Sequence, residues 1–370
     1  MISRVGFAAC LLVVCAITEI SAAEPLAPKT EGDIAWHDAK AIGIEGQGWT
    51  DTKLPYDRFP VKAEATLRPD VWNLSRHSAG MAFRFVTASP TIHARWTVTG
   101  DRLAMPHMAA TGVSGLDLYA KDDAGRWRWV AVGQPKEKTN TVILANGIKP
   151  GPREYMIYLP LYNGVSQVEV GVPMAQTLSR APEYPAAKAK PIVFYGTSIT
   201  HGACASRPGM VHTAILGRRY QRPVINLGFS GNGRMEAAVG AMLTELDPAV
   251  YVIDCCPNLG PADTAKLTEP LVKQLRAARP DVPIILVEDR RYTDAWLNTS
   301  KGERNDGNHQ ALKAAYDKLI AAGEKNLYYI PGDDLLGDDN EGAVDSSHPN
   351  DLGFVRQADA FAKVMDALLK

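Results

Sequence analysis

The chain is 370 residues long, 46% hydrophobic and 22% charged, with a formal net charge of -1. That length holds roughly two ordinary domains with full cores. The absence of a basic excess argues against nucleic acid or an anionic membrane surface as the main partner, and outside the N-terminus no run of about 20 apolar residues exists that could span a bilayer.

In chain order, residues 1–23 read as an export signal. Arg4 supplies the positive charge, Val5 to Ile17 is an apolar stretch too short to span, and Ser21-Ala22-Ala23 is a small-residue cleavage site. The expected location is therefore periplasmic or extracellular. Removing the leader takes Cys10 and Cys15 with it and leaves Cys204, Cys255 and Cys256. Export permits a disulfide from Cys204 to one of the vicinal pair; three buried thiols acting as small hydrophobes are the equal alternative. No histidine stands at metal-ligand spacing from them, so no metal is expected.

Residues 24–180 read as all-β. Period-two alternation marks Met81 to Val86 and Thr91 to Val98, and strand-like runs follow at 115–119, 127–132, 155–159 and 167–171, separated by turns rich in Gly, Asp, Asn and Pro. Such punctuation predicts an antiparallel sandwich of jelly-roll type. Trp127 and Trp129 share a strand face and serve either as core or as a platform for sugar rings. His93 reads as structural, whereas His107 sits in a Met-Pro-His-Met loop free to reach a neighbouring site. From Leu178 the chain turns Ala- and Pro-rich and loses periodicity, so residues 181–190 are expected to link two domains.

From residue 191 to 370 the pattern changes to alternating strands and helices. Apolar strands are expected at 192–195, 224–227, 250–254, 284–288 and 327–330, with helices clearest at 264–278, 308–322 and 352–369. This alternation predicts a doubly wound, five-stranded parallel sheet in flavodoxin-like order. There is no G-x-G-x-x-G opening a βαβ unit and no P-loop, and no organic cofactor is expected.

Such a sheet delivers its strand ends to one edge, and four of those ends carry chemistry. Gly196-Thr-Ser198 lifts a hydroxyl out of the first strand. Phe229-Ser-Gly231-Asn follows the second, Cys256-Pro-Asn258 the third, and Asp345-Ser-Ser-His348-Pro precedes the last helix. A serine is a poor nucleophile without a neighbouring base, and Asp-x-x-His can aim an orienting carboxylate and an imidazole at one place. In this order the four pieces resemble the SGNH (GDSL-type) hydrolases, over roughly residues 191 to 370. Gly-Thr-Ser stands where Gly-Asp-Ser is usual, and no glycine precedes Asn258. Upstream, Ser114-Gly-Leu-Asp-Leu-Tyr119 resembles the signature of the β-sandwich domain that precedes some of these catalytic domains.

The resemblance implies a serine esterase. Ser198 would be the nucleophile, His348 its base and Asp345 the orienting acid. The N–H groups of Ser198 and Gly231 and the amide of Asn258 would form the oxyanion hole. It also implies acetyl esters on oligo- or polysaccharides as the substrate class. A lipid esterase or lysophospholipase of the same fold, and a catalytically inactive carbohydrate-binding protein, are the alternatives. Arg207, Arg234 and the Asp289-Arg290-Arg291 run also fall on the active edge, as substrate contacts or as ion-pair partners.

Overall fold

The computed structural model describes residues 24–370; residues 1–23, expected from the sequence to be an export signal, lie outside the described residues. The N-terminal half builds two antiparallel sheets. One runs in the order Lys29–Glu31, Ile34–Asp38, Val165–Pro173, Ile92–Val98, Thr139–Ala145. The other runs Leu178–Arg180, Ala82–Thr87, Arg153–Tyr158, Leu116–Lys121, Trp127–Gly133, with Ile44–Glu45 also on Ala82–Thr87. The alternation works as expected in Ile92–Val98, where Ile92, Ala94, Trp96 and Val98 are buried and the residues between them are half-buried. Their side chains share one core with Phe83, Phe85 and Ile157 of the facing sheet. Leu178–Arg180, at the head of the Ala- and Pro-rich stretch, is an edge strand whose backbone pairs with Phe85 to Thr87.

The C-terminal half holds five parallel strands: β1 (Ile192–Gly196), β2 (Val224–Gly228), β3 (Val250–Asp254), β4 (Ile284–Val287) and β5 (Leu327–Ile330). Their spatial order is β2-β1-β3-β4-β5, the flavodoxin-like winding. Six helices accompany them: α1 (Ser198–His201), α2 (His212–Tyr220), α3 (Ala237–Leu243), α4 (Pro261–Ala278), α5 (Thr299–Ala321) and α6 (Asp351–Leu369). Every residue of β1 to β4 is buried, because both faces are covered. On one face Ile192, Phe194, Val252 and Ile285 pack against Leu216 of α2 and Phe361 and Met365 of α6. On the other, Val193, Tyr195, Leu227 and Ile253 pack against Leu271 and Leu275 of α4 and Leu312 of α5.

That second face has a further cover from early in the chain. Trp49, Phe59, Val71 and Trp72 belong to the same apolar cluster, and Phe59 stacks on Phe229 with ring centroids 5.4 Å apart. Each large side chain fully buried this way gains about 1.5–3 kcal/mol. Arg58, fully buried, donates to the carbonyls of Gly228 at 2.6 Å, Asn226 at 3.2 Å and Leu74 at 2.6 Å. Its guanidinium thus joins the N-terminal segment to the end of β2.

Candidate active site

β1 ends at Gly196, and Thr197 stops the extended run by accepting the Ile199 N–H on its own hydroxyl at 3.3 Å. Ser198 becomes the first residue of the short helix α1, with 8% of its surface exposed. Its hydroxyl lies 2.8 Å from His348 Nε2. His348 Nδ1 lies 2.8 Å from Asp345 Oδ2, and since a carboxylate only accepts, Nδ1 carries the ring proton and Nε2 is left as the acceptor for Ser198.

The turn that carries His348 is built from its own backbone. Asp345 Oδ1 accepts the N–H of His348 at 2.8 Å and of Ser347 at 3.2 Å. Ser346 turns the chain at φ +69°. Asn350 then caps α6 by accepting the Gly353 N–H at 3.0 Å. Partial burial pushes the Asp345 carboxyl up, but the donors from His348 and Ser347 outweigh it and hold the group below its ordinary value. It is therefore anionic at neutral pH.

The N–H groups of Ser198 and Gly231 meet no acceptor among the described residues, which leaves both free to donate to a ligand. Gly231 takes φ +69° with open space where a side chain would stand. Gly233 presses against β1 so closely that a Cβ would fall 1.9 Å from the Gly196 carbonyl oxygen, so only glycine seats this loop. The hydrogen-bonded orientation of the Asn258 amide directs its oxygen to the N–H groups of Asn232 at 3.0 Å and Gly233 at 3.2 Å, leaving its NH2 for a ligand. The turn bearing Asn258 lacks the usual glycine but is clamped from α5. Arg304 donates to the carbonyls of Pro257 and Leu259 at 2.9 and 3.0 Å. Asn308 donates to Leu259 at 3.1 Å, and Asp289 holds both clamps at 2.8 and 3.2 Å.

The remaining candidates have structural partners. Arg207 donates to Asp117 Oδ2 at 2.9 Å, which also takes the Gly209 N–H at 2.7 Å. Asp117 is the acid of the Gly-Leu-Asp-Leu-Tyr signature, so this signature fastens the sandwich to the loop following Ser198. Trp129 gives its indole N–H to the same carboxylate at 2.9 Å and lies 4.9 Å from the Arg207 guanidinium; Trp127 is half-buried, with Lys121 5.0 Å from its ring. Arg290 forms a fully buried, two-pronged pair with Asp254 at 2.5 and 2.6 Å, and Arg291 pairs with Asp306 and Asp333. Arg234 is exposed and donates to the Gly231 carbonyl at 3.0 Å. His107 reaches the site from the sandwich, its ring 6.2 Å from that of His348, while His93 packs edge-on to Trp36. Cys204, Cys255 and Cys256 are all free and buried, so of the two readings the structure holds the buried thiols. Burial, with the charge of Asp345 nearby, pushes Cys204 up to about 12.

Four residues around the site, Tyr162, His201, Arg304 and Asn308, belong to none of the sequence motifs. Tyr162 donates its hydroxyl to the Ser198 carbonyl at 3.2 Å and stacks on His201 at 4.1 Å between centroids. Arg304 and Asn308 stand four residues apart in a polar stretch without apolar periodicity; that spacing on one helix face was the available signal.

A parallel sheet that brings Ser198, His348 and Asp345 together beyond its strand ends, with a sandwich docked on the loop after Ser198, has the architecture of a family of acyl-ester hydrolases. The GDSL-like lipase/acylhydrolase family matches residues 189–366, and the N-terminal domain of SGNH-hydrolase-type esterases matches residues 34–178. A protein of GDSL-like lipase type from Bacteroides ovatus is 35% identical over 91% of this chain and 98% of its own, with a TM-score of 0.85. A salicylyl-acyltransferase from a tetracycline biosynthetic pathway is 18% identical, covering 92% of this chain and 96% of its own, at TM-score 0.67. A family two carbohydrate esterase from Cellvibrio japonicus is 13% identical, covering 91% and 98%, at TM-score 0.58. No curated protein sequence matches the chain. The chain belongs to the GDSL-like (SGNH) hydrolase family and is an esterase.

Proposed function

We propose that the protein removes acetyl or other short acyl groups from carbohydrate esters through an acyl-enzyme. The observation that carries this reading is the relay of two 2.8 Å contacts from Ser198 through His348 to Asp345. His348 takes the hydroxyl proton as Ser198 Oγ attacks the ester carbonyl, and Asp345 stabilises the imidazolium. The oxyanion takes hydrogen bonds from the N–H groups of Ser198 and Gly231 and the amide of Asn258. The tetrahedral intermediate collapses, the protonated His348 gives its proton to the departing sugar oxygen, and the acetyl group stays on Ser198. Water, deprotonated by His348, then releases acetate.

An exposed loop tied to the His348 turn supports a sugar acceptor. Trp296 and Leu297 are 77% and 73% exposed, on a loop whose Thr293 N–H bonds the Ser346 carbonyl at 2.9 Å, two residues from His348. An exposed indole there can stack on a pyranose ring. The two-domain architecture shared with a family two carbohydrate esterase points the same way. The export signal read in residues 1–23 would bring the enzyme to glycans outside the cytoplasm.

The test is acetate release from acetylated polysaccharides, with Ser198→Ala as control, alongside nitrophenyl esters of increasing chain length. Activity peaking at acetyl and abolished in Ser198→Ala supports the reading. A peak beyond about eight carbons, where each methylene adds ~0.8 kcal/mol in an apolar groove, assigns a lipid esterase instead. Retained activity in Ser198→Ala refutes the mechanism.

A further inference from the structure

His107 lies outside the contacts that join Ser198, His348 and Asp345, yet it stands beside them. Its ring centre is 6.2 Å from that of His348, with the two planes inclined at 48°. Among the described residues that is the only aromatic ring it meets. The side chain is exposed, so the packing of the sandwich does not call for an imidazole at this position.

The position itself is fixed. Met105 and Met108 exchange backbone hydrogen bonds at 3.1 and 3.0 Å, which closes a tight turn with Pro106 and His107 at its tip. Pro106 presets the first φ of that tip. Met108 is buried, and its apolar cluster includes Ile199 and Cys204, on the segment that starts at Ser198, and Phe354, in the first turn of α6 just after His348. Met105 packs on the same cluster. The N-terminal domain therefore seats this turn on the two segments that carry Ser198 and His348, and holds an exposed imidazole at its tip.

The chemistry says which part of an ester passes there. The carbonyl oxygen turns to the donors of Ser198, Gly231 and Asn258. The leaving alcohol oxygen must instead come within about 3 Å of His348 Nε2, which hands it a proton. The alcohol side of the ester is thus the side next to His348, where His107 stands. Two hydrogen-bond lengths of about 3 Å each match the 6.2 Å between the rings. One holds the leaving oxygen on His348; the other is left for a hydroxyl on the neighbouring carbon. A neutral imidazole offers that hydroxyl both a donor and an acceptor.

We propose that His107 is a specificity residue of the alcohol subsite: it hydrogen-bonds a free hydroxyl vicinal to the ester oxygen, and so selects esters of ring polyols, the chemistry of a sugar, over esters of simple alcohols. The N-terminal domain in this way chooses the alcohol, while the parallel-sheet domain cleaves the ester.

The inference rests on the esterase reading of Ser198 and His348, and the experiment keeps the two apart. Wild type, His107→Ala and His107→Phe are assayed as full chains on nitrophenyl acetate, cyclohexyl acetate and the monoacetate of trans-cyclohexane-1,2-diol. The last two share one ring and differ by a single vicinal hydroxyl. Hydrolysis of nitrophenyl acetate by the wild type establishes the esterase before any variant is compared; no hydrolysis refutes that reading. The readout is the kcat/KM for the diol monoacetate divided by that for cyclohexyl acetate, a ratio from which any general change at His348 cancels. We expect it to fall roughly three- to tenfold in both variants, the worth of one neutral hydrogen bond. An unchanged ratio, whether both esters lose alike or neither does, overturns the proposal. So does a wild type that takes nitrophenyl acetate but neither ring ester. A ratio restored in His107→Phe shows that bulk rather than a hydrogen bond is at work and overturns it as well. If His107→Ala does not fold by thermal melt, His107→Phe decides by the same ratio.

Discussion

Asp345→Asn should damage the enzyme more than Asp345→Ala does. Asp345 uses both oxygens, Oδ2 on the His348 ring and Oδ1 on the N–H groups of His348 and Ser347. An asparagine has one oxygen, and two backbone donors outbid one ring donor for it. Its NH2 then faces Nδ1, which must become an acceptor, so the ring proton moves to Nε2, where the Ser198 proton has to arrive. In a buried triad that wrong tautomer costs roughly 10^4 in kcat. Alanine leaves the ring free to choose its tautomer and removes only the carboxylate charge. A charge pair about 4 Å apart is worth ~1 kcal/mol in water and ~4 kcal/mol near a protein surface. The Asp345 side chain is 41% exposed, which places the loss near ~2–3 kcal/mol, or about 30- to 150-fold. The assay is kcat/KM on an acetyl ester at mildly alkaline pH, with thermal melts to confirm that both variants fold. Should Asp345→Asn equal or exceed Asp345→Ala, the tautomer argument is wrong.

Three further outcomes can be checked. Asn258→Ala should lower kcat by roughly 100- to 1000-fold with little change in KM; a loss under tenfold would remove Asn258 from the oxyanion hole. Trp296→Ala should raise KM for an acetylated oligosaccharide several-fold, by the ~0.5–1.5 kcal/mol of a stacking contact, and leave nitrophenyl acetate hydrolysis untouched; equal effects on both substrates would exclude a sugar platform. His212 is fully buried, stacks on Phe354 at 5.8 Å and has no partner for either ring nitrogen among the described residues. Burial, and next the charge of Arg290, hold it well below its ordinary 6.5. The folded state keeps the ring neutral while the unfolded chain takes up a proton below about pH 6.5, so this residue costs stability as pH falls through that value, by about 1.4 kcal/mol per pH unit. His212→Phe should therefore match the wild type in urea unfolding above neutrality and outlast it increasingly below pH 6; parallel curves at all pH values would show the ring is not protonated on unfolding.

What could be read from the sequence follows from where each signal is local. Gly196-Thr-Ser198 and Asp345-x-x-His348 are short motifs whose geometry depends on one turn, and they meet because parallel strands end on one edge. The α5 helix was legible only from residue 308. Its first nine residues, Thr299 to Gly307, include two glycines and turn Asn305 inward, so the apolar period that marks a helix is missing there. That face is polar because it clamps the Asn258 turn. Tyr162 was invisible for a different reason: its partner lies 36 residues away in another domain, and nothing local separates it from the buried tyrosines Tyr155 and Tyr158. Likewise, residues 49–72 carry no mark that they cover the parallel sheet rather than the sandwich.

That cover has a practical consequence for anyone cutting the gene. A fragment beginning at Lys190 would keep all five parallel strands and Ser198 yet lose Trp49, Phe59, Val71 and Trp72, baring an oily wall around Leu227 and Phe229. Such a piece would clump rather than work. The two halves have to be inherited, expressed and engineered together, and grafting one sandwich onto another hydrolase requires carrying the roof along with it.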